Sequence, residues 1–467
     1  MRALVVVALA AFAVLRLAAL TRYPLWGDET WTLDVGANGF NLAMRRYADD
    51  QTHPPLFYAA LWVWARIGPG TLAWWRTLPC LAGIATAVPV VSLARAAGFS
   101  RRATWLAVLL CAGSGILVAY SAELRDYALL ALFGTASLAA WLRARDASGR
   151  TGLRALTIVN GLLAWSHYFG LFVIAAEWCD AAFWARRRLK ALTVSAAISV
   201  ATLLPWVAET IERALLTGHR LDVLSWLEKP APGDLLDVPR AALGATPWLA
   251  ADLALVVVAA AGVALWAWRR RRSAQATGIR VLALAVAVPV GVSYVASVAG
   301  PHPMWLDRYL IAAVPPLLLL VAGALDGLAS AARGATIAVT AIALVPGALT
   351  ARALVAGRER PRYDLVVREM ATQDGGATTT LFAGGPREVG PLRYAVRAAG
   401  LASRTTVTLA TPDSVAADSG WYVWSEDHPP AGPPPPAVLM RRGYRVGPSA
   451  GFGAARDSLA MFRFVRR

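Results

Sequence analysis

Long apolar runs alternate with short polar stretches over the first three quarters of the chain. The runs cover 3–21, 72–94, 103–120, 126–142, 154–167, 169–185, 191–208, 249–268, 281–299, 308–325 and 335–352. A helix of about 20 such residues crosses a hydrocarbon core about 30 Å thick. The pattern therefore predicts an all-α polytopic membrane domain of about 11 spans over residues 1–354. The first run reads as a retained helix rather than a signal-peptide core. Arg16 interrupts it, no small-residue cleavage site follows, and further spans come after it.

Beyond residue 354 the runs stop, and Gly, Pro, Thr and charged residues rise. Short pieces at 378–383, 421–425 and 460–465 predict strands, and 363–372 and 387–399 predict helices, with a linker or turn at Pro433 to Pro436. This is a small C-terminal α/β domain over 355–467 with no glycine-rich phosphate loop.

The polar stretches orient the helices. One set of loops carries Arg95, Arg101, Arg102, Arg143, Arg145, Arg150, Arg154, Arg186 to Arg188, Lys190, Arg269 to Arg272, Arg280 and Arg333, with Asp146 and Asp326 as its only acids. The opposite set holds Asp28, Glu29, Asp34, Glu123, Asp126, Glu209, Glu212, Asp237 and Asp307 among other acids. Basic loops stay in the cytoplasm, so the Asp28 loop and the C-terminal domain are expected outside a bacterial cytoplasmic membrane.

Composition agrees and removes other readings. The 467 residues are 57% hydrophobic and 16% charged, with mean hydropathy +0.50, which excludes an ordinary soluble domain. The net charge of +17 is largely that of the cytoplasmic loop ends, which also meet anionic lipid, so nucleic acid is not an expected partner. Cys80, Cys111 and Cys179 all lie in apolar runs, which argues against a disulfide framework or a thiolate metal site.

Candidate chemistry gathers at the outer helix ends. Asp28 and Glu29 follow the first run, between Trp26 and Trp31; His53 precedes Pro54-Pro55, with Phe57 and Tyr58 just beyond. Between the third and fourth runs stand Tyr120, Glu123, Arg125, Asp126 and Tyr127; between the fifth and sixth, His167 and Tyr168; before the tenth, Asp307, Arg308 and Tyr309. Ionisable groups at membrane depth are costly and tend to face an interior site. Each also has a plain structural reading. Arg125 and Asp126 suit a helix-start ion pair, His167 suits an interfacial histidine bonded to a carbonyl, and Arg308 suits snorkelling to headgroups. Arg16 is expected to snorkel or pair with an acid above it, and Glu177 and Asp180 to reach Arg186 or Arg187.

Taken together, clusters at one membrane level suit group transfer from a lipid phosphate. Breaking the anomeric bond of a polyprenyl-phosphate sugar leaves a phosphate monoester, whose charge fixed cations stabilise. The acceptor hydroxyl needs a base, and the Asp28 carboxylate is ionised at neutral pH without special tuning. The alternative is a transporter or lipid flippase without chemistry. Such proteins often show internal repeats and midplane breaks, and this chain shows no convincing repeat.

The order Leu25-Trp26-Gly27-Asp28-Glu29, then Asp50 to Tyr58 with His53-Pro54-Pro55, then Arg76, Tyr120 to Tyr127 and His167-Tyr168 resembles the C-type glycosyltransferase superfamily. More narrowly it is similar to the bacterial branch related to dolichyl-phosphate-mannose protein mannosyltransferases and the lipid A aminoarabinose transferase. The resemblance covers most of residues 1–310. It implies an enzyme using a polyprenyl-phosphate sugar by inverting single displacement, with Asp28 and Glu29 as the catalytic pair. His53 falls at a phosphate-side or site-organising position, and a second-loop acid falls at Glu123 or Asp126. Arg125, Tyr127, His167, Arg308 and Tyr309 are the further substrate-binding candidates. Thr52 stands where the aminoarabinose transferase carries a glutamate, which argues against a metal held at that position, and because metal dependence varies across the superfamily a divalent metal stays open. The sugar and the acceptor (protein, lipid or glycan) are not named by these residues. Trp31, Tyr47 and Trp226 are candidates for stacking on sugar rings.

Overall fold

A computed structural model describes residues 2–20, 25, 27–37, 39, 40, 44, 53–146, 150–217, 227–243, 249–273, 275–331, 335–356, 361–426, 432–452 and 458–467. Trp26, Tyr47, Asp50, Thr52 and Trp226 lie outside the described residues. The chain divides into two compact units, one of residues 1–20 and 35–352, the other uniting Thr21–Asp34 with Ala353–Arg467.

In the first unit each of the eleven apolar runs is helical. Leu72–Ala96, Tyr127–Arg145, Ala276–Ala299 and Asp307–Ser330 are long and apolar enough to cross a membrane, and Arg186–Ala201 with Leu204–Leu216 forms a bent pair. One end of this unit is tied by charge. Arg102 Nε donates to Asp326 at 2.5 Å, and Asp180 forms an ion pair with Arg145 at 3.0 Å and accepts from Arg280 Nε at 2.9 Å. Asp180 thus pairs with Arg145 and Arg280 instead of the expected Arg186 or Arg187. Glu177 turns inward to Ser137 and Asn160, joining three helices through one buried carboxylate. Both arginines that reach Asp180 come from other helices, where helix packing rather than sequence distance decides the partner.

The third run is broken. Ser114 is extended (φ −63°, ψ 118°), so Arg101–Gly113 ends there and a short helix, Gly115–Ala119, begins again. The break strips helical partners from the last carbonyls, and buried carbonyls must find others. Arg16 supplies two. Its guanidinium donates to Cys111 O at 3.2 Å and Ala112 O at 3.3 Å, while Thr350 Oγ1 donates to Gly113 O at 2.6 Å. Arg16 therefore neither snorkels nor pairs with an acid in these bonds; it caps the break. Gly113 lets the Ala335–Ala356 helix close in, since a Cβ there would sit 2.4 Å from Gly347 N. The re-aimed short helix feeds the turn that carries Glu123, Arg125 and Asp126.

The second unit is an α/β domain. Strands β1 (Thr379–Ala383), β2 (Thr405–Leu409), β3 (Ser419–Ser425), β4 (Tyr444–Val446), β5 (Ala450–Phe452) and β6 (Leu459–Arg466) form one sheet of order β2-β1-β3-β6-β4, with β5 on β6. β1 runs parallel to β2 and β3, and β6 runs antiparallel to β3, β4 and β5. Alternation sorts the side chains. Leu381, Trp421, Val423 and Met461 pack with Val366 and Leu392 of the helices Tyr363–Asp374 and Pro386–Ala398. Phe382, Tyr422, Phe462 and Phe464 pack on the other face with Leu439. The proline run does not act only as a linker, because Pro435 opens the helix Pro435–Arg441, where its missing N–H costs nothing.

The Asp28 segment is a helix, Gly27–Ala37, whose residues up to Asp34 belong to this unit. A Cβ at Gly27 would lie 3.3 Å from Arg387 O, so the helix meets Pro386–Ala398 through its glycine backbone.

Candidate active site

Four rings from four separate segments form a buried cage in the first unit. His53 and His167 meet edge to face at 5.1 Å, and Tyr309 lies 5.2 Å from His167. Tyr127 stands 6.2 Å from His53, 5.8 Å from His167 and 6.2 Å from Tyr309, and His53 is 6.4 Å from Tyr309. Tyr58, Tyr120 and Phe169 back the cage at 6.4 Å from His53, 4.9 Å from Tyr127 and 5.0 Å from Tyr309.

Local structure explains each placement. Pro54 and Pro55 fix the approach to the helix Leu56–Trp64, whose Phe57, Tyr58 and Leu61 are buried and whose Tyr58 ring meets that of His53. Sequence periodicity misses this helix because its nine residues are apolar on every side. Asp126 stands at the head of the helix Tyr127–Asp146, its carbonyl accepting from Leu130 N at 3.0 Å. The Arg125-Asp126-Tyr127 run therefore sits at a helix N-terminus, the positive end of the helix dipole. His167 follows the helix Arg150–Ser166, and its Nδ1 accepts the Phe169 backbone N–H at 3.1 Å. Gly170 lets the next helix return closely, since a Cβ there would lie 2.7 Å from Leu163 Cγ. Arg308 and Tyr309 lie in the 3-10 turn Asp307–Ala313, whose start is tied by Asp307 Oδ1 accepting the Arg308 backbone N–H at 2.6 Å.

The cage carries charge. Arg125 Nη2 lies 3.3 Å and 3.4 Å from the two ring nitrogens of His53, and near-equal distances set it against the ring rather than along one lone pair. Asp126 Oδ1 is 3.8 Å from His53 Nε2. Arg308 lies 6.0 Å from the Tyr127 ring and 5.8 Å from that of Tyr309. Two donors inside the cage, His167 Nε2 and Tyr127 Oη, are buried with no hydrogen-bond partner among the described residues. His53, Asp126 and His167 each offer one ligand atom, all within 4.8 Å of one another.

The structure thus brings together His53, Arg125, Asp126, Tyr127, His167, Arg308 and Tyr309. Glu123 is buried in the same turn, its carbonyl accepting from Arg125 N at 2.7 Å. Asp28 and Glu29 belong to the second unit, where Glu29 is buried and Asp28 half-buried. The helix at 56–64 was not among the expected elements, and Tyr58, Tyr120 and Phe169, which back the cage, were not among the expected substrate-binding residues; their closeness in sequence to His53, Tyr127 and His167 was the signal.

No family model and no curated protein matches the sequence. Solved structures do. ArnT from Cupriavidus metallidurans bound to undecaprenyl phosphate aligns with a TM-score of 0.57 at 12% identity, covering 99% of this chain and 97% of that one. The same protein in the apo state aligns with a TM-score of 0.59 at 13% identity, over 98% and 97% of the two chains. An oligosaccharyltransferase from Archaeoglobus fulgidus, tethered with an acceptor peptide, has a TM-score of 0.49 at 13% identity, over 85% of this chain and 63% of that one. The likeness to ArnT establishes a polytopic, mostly helical membrane protein of the GT-C fold with a small C-terminal sheet.

Proposed function

We propose that this chain is an integral membrane glycosyltransferase that moves a sugar from a polyprenyl-phosphate donor to an acceptor at the outer face of the cytoplasmic membrane. The cage carries this reading. Two buried donors with no partner among the described residues, with Arg125 against His53 and Arg308 near the Tyr127 ring, form a surrounding that suits a phosphate. The fold supports it, because the ArnT structure with the same architecture was obtained bound to undecaprenyl phosphate.

In this reading the reaction is a single displacement. The acceptor hydroxyl oxygen attacks the anomeric carbon while the bond from that carbon to the phosphate oxygen breaks, inverting the configuration. The electron pair leaves with the phosphate, giving polyprenyl phosphate as a monoester, and Asp28 takes the hydroxyl proton. Arg125, Arg308 and His53 face the leaving phosphate, where charge grows as the bond breaks. Glu29 orients the segment or binds the sugar. The acceptor is a glycan, lipid or protein arriving from outside, where the C-terminal domain would also stand.

Mass spectrometry of lipid-linked sugars and envelope glycans, with and without the gene, tests the reading. Loss of the gene should raise one polyprenyl-phosphate sugar and remove one envelope modification. Unchanged pools of both would sink it.

A further inference from the structure

We propose that the His53–Asp126–His167 cluster is an anion site rather than a metal site, in which His167, held with its proton on Nε2, donates to a phosphate oxygen of polyprenyl phosphate. The proposal rests on the glycosyl-transfer reading and names a donor within its phosphate site.

The cluster has the outline of a metal centre. Three buried groups converge within 4.8 Å, and two imidazoles with a carboxylate form a donor set that zinc accepts. The hydrogen bonding of His167 argues the other way. The Phe169 backbone N–H points at His167 Nδ1 from 3.1 Å, so that nitrogen uses its lone pair as an acceptor. In a neutral imidazole the proton then sits on Nε2, which becomes a donor. Metal-bound histidines show the opposite polarity, since the ring nitrogen away from the metal donates its proton to a neighbour. For His167 to ligate through Nε2 it would have to become an imidazolate or lose the Phe169 bond. Without it, His53 and Asp126 remain, fewer protein ligands than the three of a catalytic zinc site.

Charge points the same way. Arg125 rests against the His53 ring at 3.3 Å, and Arg308 lies 6.0 Å from the Tyr127 ring. A dication placed here would face two guanidinium groups that stay charged at any working pH. An anion meets the reverse situation. His167 Nε2 and Tyr127 Oη are buried donors with no partner among the described residues, and such a group is costly to bury unless something accepts its proton. Phosphate oxygens accept from both. Asp126 is the one acid in the cluster, its Oδ1 lying 3.8 Å from His53 Nε2.

The test uses the full chain purified in detergent, with undecaprenyl phosphate, inorganic phosphate and Zn²⁺ as separate probes. The parent protein should bind undecaprenyl phosphate equally well before and after exhaustive chelation, and more tightly than inorganic phosphate. His167→Ala should weaken that binding about ten- to a hundredfold, the range for a hydrogen bond to a charged group. His167→Gln, which keeps an N–H at similar reach, should stay within roughly threefold of the parent. Tyr127→Phe should weaken binding about two- to tenfold, and these two variants decide the matter if His167→Ala does not fold. Stoichiometric Zn²⁺ that disappears in His167→Ala, or lipid binding abolished by chelation, would overturn the anion assignment. So would unchanged binding by folded His167→Ala while the parent binds. Equal affinity for inorganic phosphate would overturn the lipid as its source. A parent protein that binds no undecaprenyl phosphate would remove the glycosyl-transfer reading itself, and this proposal with it.

Discussion

Gly390 and Thr30 are packed so closely that a Cβ on the glycine would lie 2.5 Å from Thr30 Oγ1 and 2.9 Å from Thr30 Cβ. Thr30 Oγ1 is itself fixed, donating to Gly27 O at 2.7 Å. The helix bearing Asp28 is therefore seated on the helix Pro386–Ala398, with no room for a side chain between them. Gly390→Val must push them apart, and overpacking of this kind costs about 1–3 kcal/mol. Turnover should fall about tenfold or more, because small misplacements of a reacting group are costly. Binding of undecaprenyl phosphate should not change, since the cage residues belong to the first unit. Parent-level turnover in a folded Gly390→Val protein would show that this seat does not position Asp28.

Arg125 tests the phosphate assignment through charge. Its guanidinium lies against His53 in the cage. Arg125→Ala should weaken undecaprenyl-phosphate binding about ten- to a hundredfold. Arg125→Lys should recover only part of the loss, because an ammonium supplies charge without the planar fork. Equal binding by the parent and Arg125→Ala would move the phosphate elsewhere.

Arg16 should matter to stability. Arg16→Met keeps the length of the apolar stem and removes the donors to Cys111 O and Ala112 O. Each stranded buried acceptor costs about 1–3 kcal/mol, so the thermal midpoint in detergent should drop by several degrees. A midpoint equal to the parent's would mean that water or another donor caps the Ser114 break.

What was legible in the sequence, and what was not, follows from range. Each apolar run became a helix because twenty apolar residues leave the backbone few other ways to bond in lipid. Arg125, Asp126, His167 and Arg308 could be picked out because ionisable groups at membrane depth need a reason to be there. The Gly113-Ser114-Gly115 run is a local breaker signal inside the third apolar run, but the groups that cap the break, Arg16 and Thr350, come from other helices and leave no mark near it. The partners of Asp180 were misjudged for the same cause. Strand β2, Thr405–Leu409, was missed because a short threonine-rich edge strand carries little apolar signal. Asp28 belongs to the second unit, where Gly27 meets Arg387 and Gly390 meets Thr30, close approaches far apart in sequence that no periodicity records.

Topology is the next expectation. The basic loop ends alternate with acidic ones along the apolar runs, so residues 355–467 should lie outside the cytoplasmic membrane. A fusion after Arg467 to a reporter that works only in the cytoplasm should be silent, and one that works only outside should be active. The reverse pattern would invert the orientation.

Asp28 is expected to be the base, and its neighbour supplies the contrast. Both lie in the first turn of the helix Gly27–Ala37, where adjacent side chains diverge by about 100° around the axis. Glu29 is fully buried, whereas Asp28 keeps part of its surface open. Only a carboxylate that an acceptor can reach can take the hydroxyl proton as the new bond forms, which selects Asp28. Asp28→Asn keeps the shape and hydrogen bonding but removes the basicity. Losing a positioned base costs about 10²–10⁴ in rate, so this variant should bind undecaprenyl phosphate as the parent does and turn over at that reduced rate. Glu29→Gln should act differently, through the thermal midpoint or the affinity for the sugar, with a smaller loss of rate. If Asp28→Asn, expressed at the parent's level, transfers sugar at close to the parent rate, the proton goes to another group.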